Sequence, residues 1–326
     1  MYFFNPIYPI FKASDKLCCG IPNSNNYVEF EYLRKTEQLL ENIILNGITE
    51  NDIRNSKIYK KISKNRLLVN GEKLNMSRKN AYFDYLGVNK FSTLDLNSSI
   101  IIFGAGAGGS TLCYLLAQFG LKNITIIDDD IVEKAEIEKT MVFRKEHIGS
   151  KKVSALKSII LSNFDVSINI IEQKIHTKDQ IESIIKERGV SSIIVKACDP
   201  DLEFRVNLNA ICFKTQTPFI HMAYSYEKLI IGPMFVPGKT KSDLTLNEYQ
   251  KKFYGKHFDF SLVTKLFTTY TKHPSISFNI NILASIILKE ILFFIKQKHD
   301  CVNCLGKQLI FNPIKMQGYA IDLNKI

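Results

Sequence analysis

A glycine-rich loop, three aspartates and a lysine carry most of the chemistry this sequence can offer. Gly104, Gly106 and Gly109 stand in G-x-G-x-x-G spacing, with Ala105 and Ala107 between them and Gly108 as an extra glycine. Such a loop turns tightly and lets a phosphate approach backbone N–H groups at a helix N-terminus. Asp128 lies about 20 residues beyond the loop, the distance at which an acid accepts ribose hydroxyls. Asp129 and Asp130 follow it directly. Asp199 ends a second apolar run, so two acids converge on one sheet edge. One can take ribose and the other a Mg²⁺ that bridges phosphate oxygens. Lys152, shortly after Gly149, offers an ammonium to a phosphate. Taken singly, each feature has an ordinary alternative. The loop can be a strand-to-helix turn that binds nothing, and each acid a helix cap or a surface ion pair. Their joint order points to a nucleotide site.

The elements that must position these residues are legible on either side. Ile100–Phe103 and Ile124–Ile127 are β-branched apolar runs that read as buried parallel strands. Thr111–Phe119 has helical period and stops at Gly120. Downstream, helices are expected at Val153–Leu161, Asp179–Lys186, Leu202–Phe213 and Ile276–Lys296, and strands at Val166–Ile171, Ser192–Val195, Phe219–Met222 and Leu229–Phe235. Two closing strands end the chain. This alternation predicts an α/β fold: a Rossmann-like, doubly wound, mostly parallel sheet that becomes mixed later. Residues 241–270 read as a long polar crossover. Ahead of the sheet, residues 1–25 read as irregular, Tyr27–Leu45 and Asp52–Ile62 as helices, and Arg66–Leu74 as a hairpin turning at Asn70–Gly71. Two helices and a hairpin suggest a small winged-helix-like domain, a module that can bind nucleic acid or a peptide along its wing or edge strand. The expected division is 1–90 for that domain and 91–326 for an ATP-binding domain.

Composition excludes several classes. The net charge is +11, but the lysines are scattered among Ile and Asn, with no dense basic block, so no nucleic-acid partner is expected. Seven cysteines in no extracellular framework favour a reducing cytoplasm. Met1–Phe11 lacks the basic start and small-residue cleavage site of a signal peptide. The longest apolar stretch, Ile276–Ile295, contains Asn279, Asn281, Lys289 and Glu290, which favours a buried helix over a membrane span.

In order along the chain, Gly104-Ala-Gly-Ala-Gly-Gly109, Asp128-x-Asp130, Ile148-Gly149-x-x-Lys152, Cys198-Asp199 and Gly232-Pro-x-x-x-Pro-Gly-Lys-Thr240 resemble the ThiF/MoeB-type, ubiquitin-activating-like adenylating superfamily. The set looks closest to its peptide-modifying members of the microcin C type, which carry a small N-terminal peptide clamp. The resemblance implies a reaction: a carboxylate attacks the α-phosphate of Mg-ATP, giving an acyl-adenylate and pyrophosphate. It assigns ribose to Asp128, the phosphates to Lys152 and Mg²⁺ to Asp199, with Asp130 near the same site. It also implies a homodimer, in which Arg78 would be an arginine supplied across the interface.

Three departures stand out. Where the family has Ser-Asn-Leu-x-Arg-Gln, this chain has Ala135-Glu136-Ile137-Glu138-Lys139-Thr140, so Glu136 replaces an asparagine and Lys139 an arginine. Lysine keeps the charge but loses the bidentate fork, and Arg144 is placed to compensate. Ala107 stands where glycine is common. Finally, the family's structural zinc uses two C-x-x-C pairs, and only Cys301-Val-Asn-Cys304 is present. A half site cannot supply four ligands, Cys18-Cys19 could complete it only in space, and loss of zinc is the preferred reading.

The leading expectation is adenylation of a C-terminal or side-chain carboxylate in a ribosomally made precursor peptide, during natural-product maturation. A pantocin-like ring closure through activated glutamates is one form this could take. Activation of a ubiquitin-like or sulfur-carrier protein is the alternative; no cysteine lies in 241–270 to serve a thioester relay. A non-catalytic peptide-binding scaffold is the third reading, motivated by Glu136 and Lys139. A dehydrogenase is the fourth.

Overall fold

The computed structural model describes residues 1–71, 77–189, 192–198, 202–255 and 275–325. The chain divides into two compact units, Met1–Lys90 and Phe91–Ile326.

The smaller unit runs β1 (Tyr2–Phe4), β2 (Ile10–Ala13), β3 (Lys16–Gly20), β4 (Tyr27–Glu31), α1 (Arg34–Leu45), α2 (Glu50–Asn55), α3 (Lys57–Lys64), β5 (Leu68–Asn70) and α4 (Arg78–Tyr85). Strands β2, β3 and β4 form an antiparallel meander, and β1 pairs with β5. Their shared core includes Leu17, Val28, Leu40, Ile43 and Ile62. Several expectations change here. The supposedly irregular start contributes three strands. Tyr27–Glu31 is a strand and not the first turn of a helix, because Tyr-Val-Glu-Phe-Glu alternates in polarity and buries Val28 against β3. The Asp52–Ile62 stretch is two helices broken at Ser56, whose hydroxyl caps α3 by accepting the Tyr59 N–H at 3.3 Å. Leu68–Asn70, the near arm of the expected hairpin, pairs with the N-terminal strand. The far arm of that expected hairpin, 72–76, lies outside the described residues.

The larger unit continues with α5 (Thr93–Leu96), β6 (Ile100–Phe103), α6 (Ala107–Phe119), β7 (Ile124–Ile127), α7 (Glu136–Lys139), α8 (Lys152–Phe164), β8 (Asn169–Ile171), α9 (Lys178–Arg188) and β9 (Ile193–Lys196). It ends with α10 (Leu202–Lys214), β10 (Phe219–Ser225), β11 (Lys228–Phe235), α11 (Asp243–Tyr254), α12 (Ser277–Ile295), β12 (Lys307–Asn312) and β13 (Gln317–Asp322). The sheet order is β13-β12-β11-β10-β9-β6-β7-β8. Pairs from β10 to β8 are parallel, and those from β10 to β13 antiparallel. This is the doubly wound, mostly parallel α/β sheet. β6, β7 and β9 are buried along their whole length, which is why they read as unbroken apolar runs.

One face of the sheet packs Phe103, Ile194, Phe204, Phe219 and Phe235 into a single core. On the opposite face α12 packs against α6, β10 and β11. By length and composition alone α12 could cross a membrane, yet it buries Asn279 and Glu290 within the unit. Part of the expected polar crossover is the helix α11; 256–274 lie outside the described residues. Strand order reverses between β6 and β9. Ligands of open α/β sheets bind at such a switch point, beyond the C-terminal strand ends.

Candidate active site

The Gly loop leaves β6 with Gly104 at φ +102°. A Cβ on Gly104 would sit 2.9 Å from the Cys198 nitrogen and 3.0 Å from Ala197, so the loop lies directly against the turn that follows β9. A Cβ on Gly109 would sit 1.9 Å from the Gly104 carbonyl oxygen, which lets the first turn of α6 press onto the loop. Gly106 differs. It caps α6 in an extended conformation, offers no side-chain cap, and a Cβ there would meet nothing within 4 Å. The free N–H groups at the start of this helix therefore open onto space that an anion can enter.

Asp128 ties the loop to β7. Its Oδ2 accepts the Ala105 N–H at 2.6 Å and its Oδ1 accepts the Asp130 N–H at 2.8 Å. An ionised carboxylate has further lone pairs, so this geometry leaves it able to accept a hydroxyl. The next residues are clipped antiparallel to 149–152. Ile131 bridges Lys151, the Lys152 N–H donates to the Asp130 carbonyl at 3.0 Å, and the Lys151 Nζ donates to the Asp129 carbonyl at 2.6 Å.

This clip delivers the Lys152 ammonium to 3.1 Å from Asp130 Oδ2 and 3.6 Å from Glu136 Oε1. Lys152 is only 6% exposed. Burial alone would lower its pKa, but the carboxylates of Glu136, Asp128 and Asp130 outweigh it, and the value is raised above that of an ordinary lysine. The group is therefore a cation at neutral pH.

The structure thus gathers the Gly loop, Asp128, Asp130 and Lys152 at the switch point. Lys139 closes α7 half-buried and Arg144 is exposed, its backbone N–H donating to His147 Nδ1 at 3.0 Å. Neither side chain makes an ion pair among the described residues. Arg78 is exposed at the start of α4, in the smaller unit. Asp199 lies outside the described residues, and with it the expected Mg²⁺ ligand. Among the described residues, the carboxylates of Asp128, Asp129 and Asp130 lie within 4.8 Å of one another, though two of the three are already engaged as above.

Two further residues shape the site: Glu136, which the motif comparison marked only as a departure, and Lys196, which it missed. Glu136 is buried, and its Oε2 has no hydrogen-bond partner. Lys196 is 5% exposed at the end of β9, and its Nζ donates to the Cys198 carbonyl at 3.1 Å, bracing the turn that touches Gly104. A lysine closing a buried strand was the available signal. Nearby, Asp243 at the start of α11 is gripped by Arg205 at 2.5 and 2.8 Å and lies 3.2 Å from His221 Nε2. Burial holds the His221 pKa down, so its imidazole is neutral.

The expected zinc half site, Cys301 and Cys304, is braced by contacts from α12. Cys304 is buried, and its N–H donates to Glu290 Oε2 at 3.1 Å. Lys289 pairs with Glu290 at 3.0 Å and donates to the Cys301 carbonyl. Burial and the Glu290 charge hold the Cys304 thiol well above its usual pKa.

Comparison with known proteins places this geometry. The chain is 27% identical over 134 residues to the SAMP-activating enzyme E1 of Haloferax volcanii, covering 40% of this chain and 48% of that one. It is 24% identical over 126 residues to the sulfur carrier protein ThiS adenylyltransferase of Escherichia coli, covering 38% and 48%. The matched segment thus spans about half the length of these curated relatives, and less of others. Among solved structures, Escherichia coli MccB with ATP superposes with a TM-score of 0.73 at 19% identity, over 99% of this chain and 97% of that one. PaaA superposes with a TM-score of 0.69 at 17% identity, over 98% and 99%. At these identities the likeness shows a shared fold. The ThiF family profile matches residues 77–325, which takes in the Gly loop, the Asp128–Lys152 clip and the whole large sheet, and the chain belongs to the ThiF family.

Proposed function

We propose that this chain is an ATP-dependent adenylyltransferase that activates a carboxylate of a ribosomally made precursor peptide. The observation that carries the reading is the junction of the open Gly106 N-cap with the buried Lys152 cation, 3.1 Å from Asp130, at the switch point of the sheet. In this reading the first turn of α6 and Lys152 take the phosphates, Asp128 accepts ribose hydroxyls, and Asp199 holds Mg²⁺. Bound Mg²⁺ would neutralise phosphate charge; the chain's residues hold the nucleotide in line for attack. A carboxylate oxygen of the peptide bonds to the α-phosphorus, and the α–β phosphoanhydride bond breaks. Pyrophosphate leaves with its electron pair, and no proton changes hands. Lys139 and Arg144 would approach the phosphates once nucleotide is bound.

Support for a peptide substrate comes from the likeness to MccB, solved with the peptide MccA, over 99% of this chain. We propose that the smaller unit holds the peptide, that the enzyme is a cytoplasmic homodimer, and that Arg78 reaches the partner's site. The rival reading is activation of a ubiquitin-like or sulfur-carrier protein; the names of the curated relatives favour it. Incubation with ATP and candidate precursor peptides from short reading frames near the gene, followed by pyrophosphate assay, tests the proposal. AMP-level products are expected, and Asp199→Ala should abolish turnover without unfolding the chain. Formation of ADP alone would remove the adenylation reading. Turnover only with a small β-grasp carrier protein would favour the rival.

A further inference from the structure

We infer that Glu136 sets how strongly this site holds a triphosphate, by competing with the phosphates for the Lys152 ammonium. The inference rests on the nucleotide reading of the Gly loop. Lys152 has two anionic neighbours in contact, and they are not equivalent. The Asp130 side chain is 67% exposed, so water screens it and it is free to swing aside when an anion arrives. The Glu136 side chain is 12% exposed and sits on the first turn of α7, with nowhere to go. Its Oε1 is 3.6 Å from the ammonium, and its Oε2 is buried with no donor at all. Lys152 is thus the cation on which this carboxylate depends.

Any phosphate that docks on Lys152 must come within hydrogen-bond distance of the same Nζ. It then lies beside a fixed like charge in a water-poor setting, where repulsion is strong. A carboxylate cannot relieve this by donating, since when ionised it only accepts. An amide at this position would carry no charge and could donate to a phosphate oxygen. Glu136 therefore keeps the lysine charged and in place while the site is free, and weakens the site's grip on each added phosphate.

The test is a ladder of affinities measured by calorimetry for adenosine, ADP and ATP in magnesium buffer. Glu136→Gln should leave adenosine unchanged, tighten ADP, and tighten ATP about tenfold, roughly 1.4 kcal/mol. Glu136→Asp, which keeps the charge, should stay near the wild-type values. In a Lys152→Met background the Glu136→Gln gain should shrink by more than half. A merely structural residue would shift the melting temperature and all three ligands alike. Equal or weaker ATP binding by a folded Glu136→Gln variant overturns the inference, and Glu136→Asn makes the same charge change if Gln fails to fold. Failure of the wild type to bind ATP at all would instead strike the nucleotide reading.

Discussion

Gly106 and Gly109 stand three residues apart and answer different needs. Gly109 has no room for a methyl group, because the Gly104 carbonyl lies 1.9 Å from where its Cβ would be. Gly109→Ala should force the loop away from α6 and cost about 3 kcal/mol, a fall of roughly 10 °C in melting temperature by calorimetry. Gly106 has room to spare, and its φ of −62° suits any residue. Gly106→Ala should cost about 1 kcal/mol or less as a poorer cap, yet weaken ATP binding at least about tenfold by filling the approach to the helix N-terminus. The glycine spacing was readable in the sequence; which glycine is required by packing and which faces open space was not, because that depends on a carbonyl and a turn brought from elsewhere. Glu136 illustrates the same limit. Sequence reasoning saw only an acid where an amide was expected. Its partner Lys152 reaches it through the antiparallel clip between 131 and 151, and no local pattern announces such a clip.

At the scale of elements, buried runs of Ile and Val betrayed β6, β7 and β9 because both faces of a parallel sheet are covered. The smaller unit was harder. Its strands are short, and over five residues the periods of strand and helix overlap, so Tyr27–Glu31 was open to misreading. α12 shows what a sequence pattern conceals in another way. Its Lys289 and Glu290 look like interruptions of an apolar helix, but together they hold both ends of the Cys301–Cys304 turn by its backbone. These two side chains secure that turn by themselves. Glu290→Leu should leave a buried N–H unpaired and Lys289 without its counter-charge, costing about 3 kcal/mol in chemical denaturation. EDTA, by contrast, should leave the melting temperature of the wild type unchanged. One zinc per chain by elemental analysis, with melting lowered by chelation, would reverse this assignment.

At the scale of the molecule, each unit has its own core, so their contributions can be separated. Deleting residues 1–75 should abolish binding of a labelled precursor peptide in fluorescence anisotropy while ATP affinity changes less than about threefold, as expected if the smaller unit serves to raise the local concentration of a tethered peptide. Equal loss of both ligands would show that the sheet needs the smaller unit to fold, and retained peptide binding would move the peptide site to the larger one. Interpreting such experiments depends on where the chain keeps its charge. Among the described residues, the buried side chains of ionisable acid and base type are Lys152 and Lys196 against Glu136, Asp243 and Glu290, so the bases do not outnumber the acids in the interior. Among the described residues, the excess of basic side chains is therefore carried by exposed and half-buried positions. In dilute buffer such a surface gathers whatever polyanion is at hand, and the protein will hold to a cation-exchange resin and carry nucleic acid out of a lysate. At about 0.1 M salt the reach of those charges shrinks to roughly 10 Å. Absorbance at 260 nm in a fresh preparation thus reports the outer coat of lysines, and only ligands that survive a salt wash belong to the site.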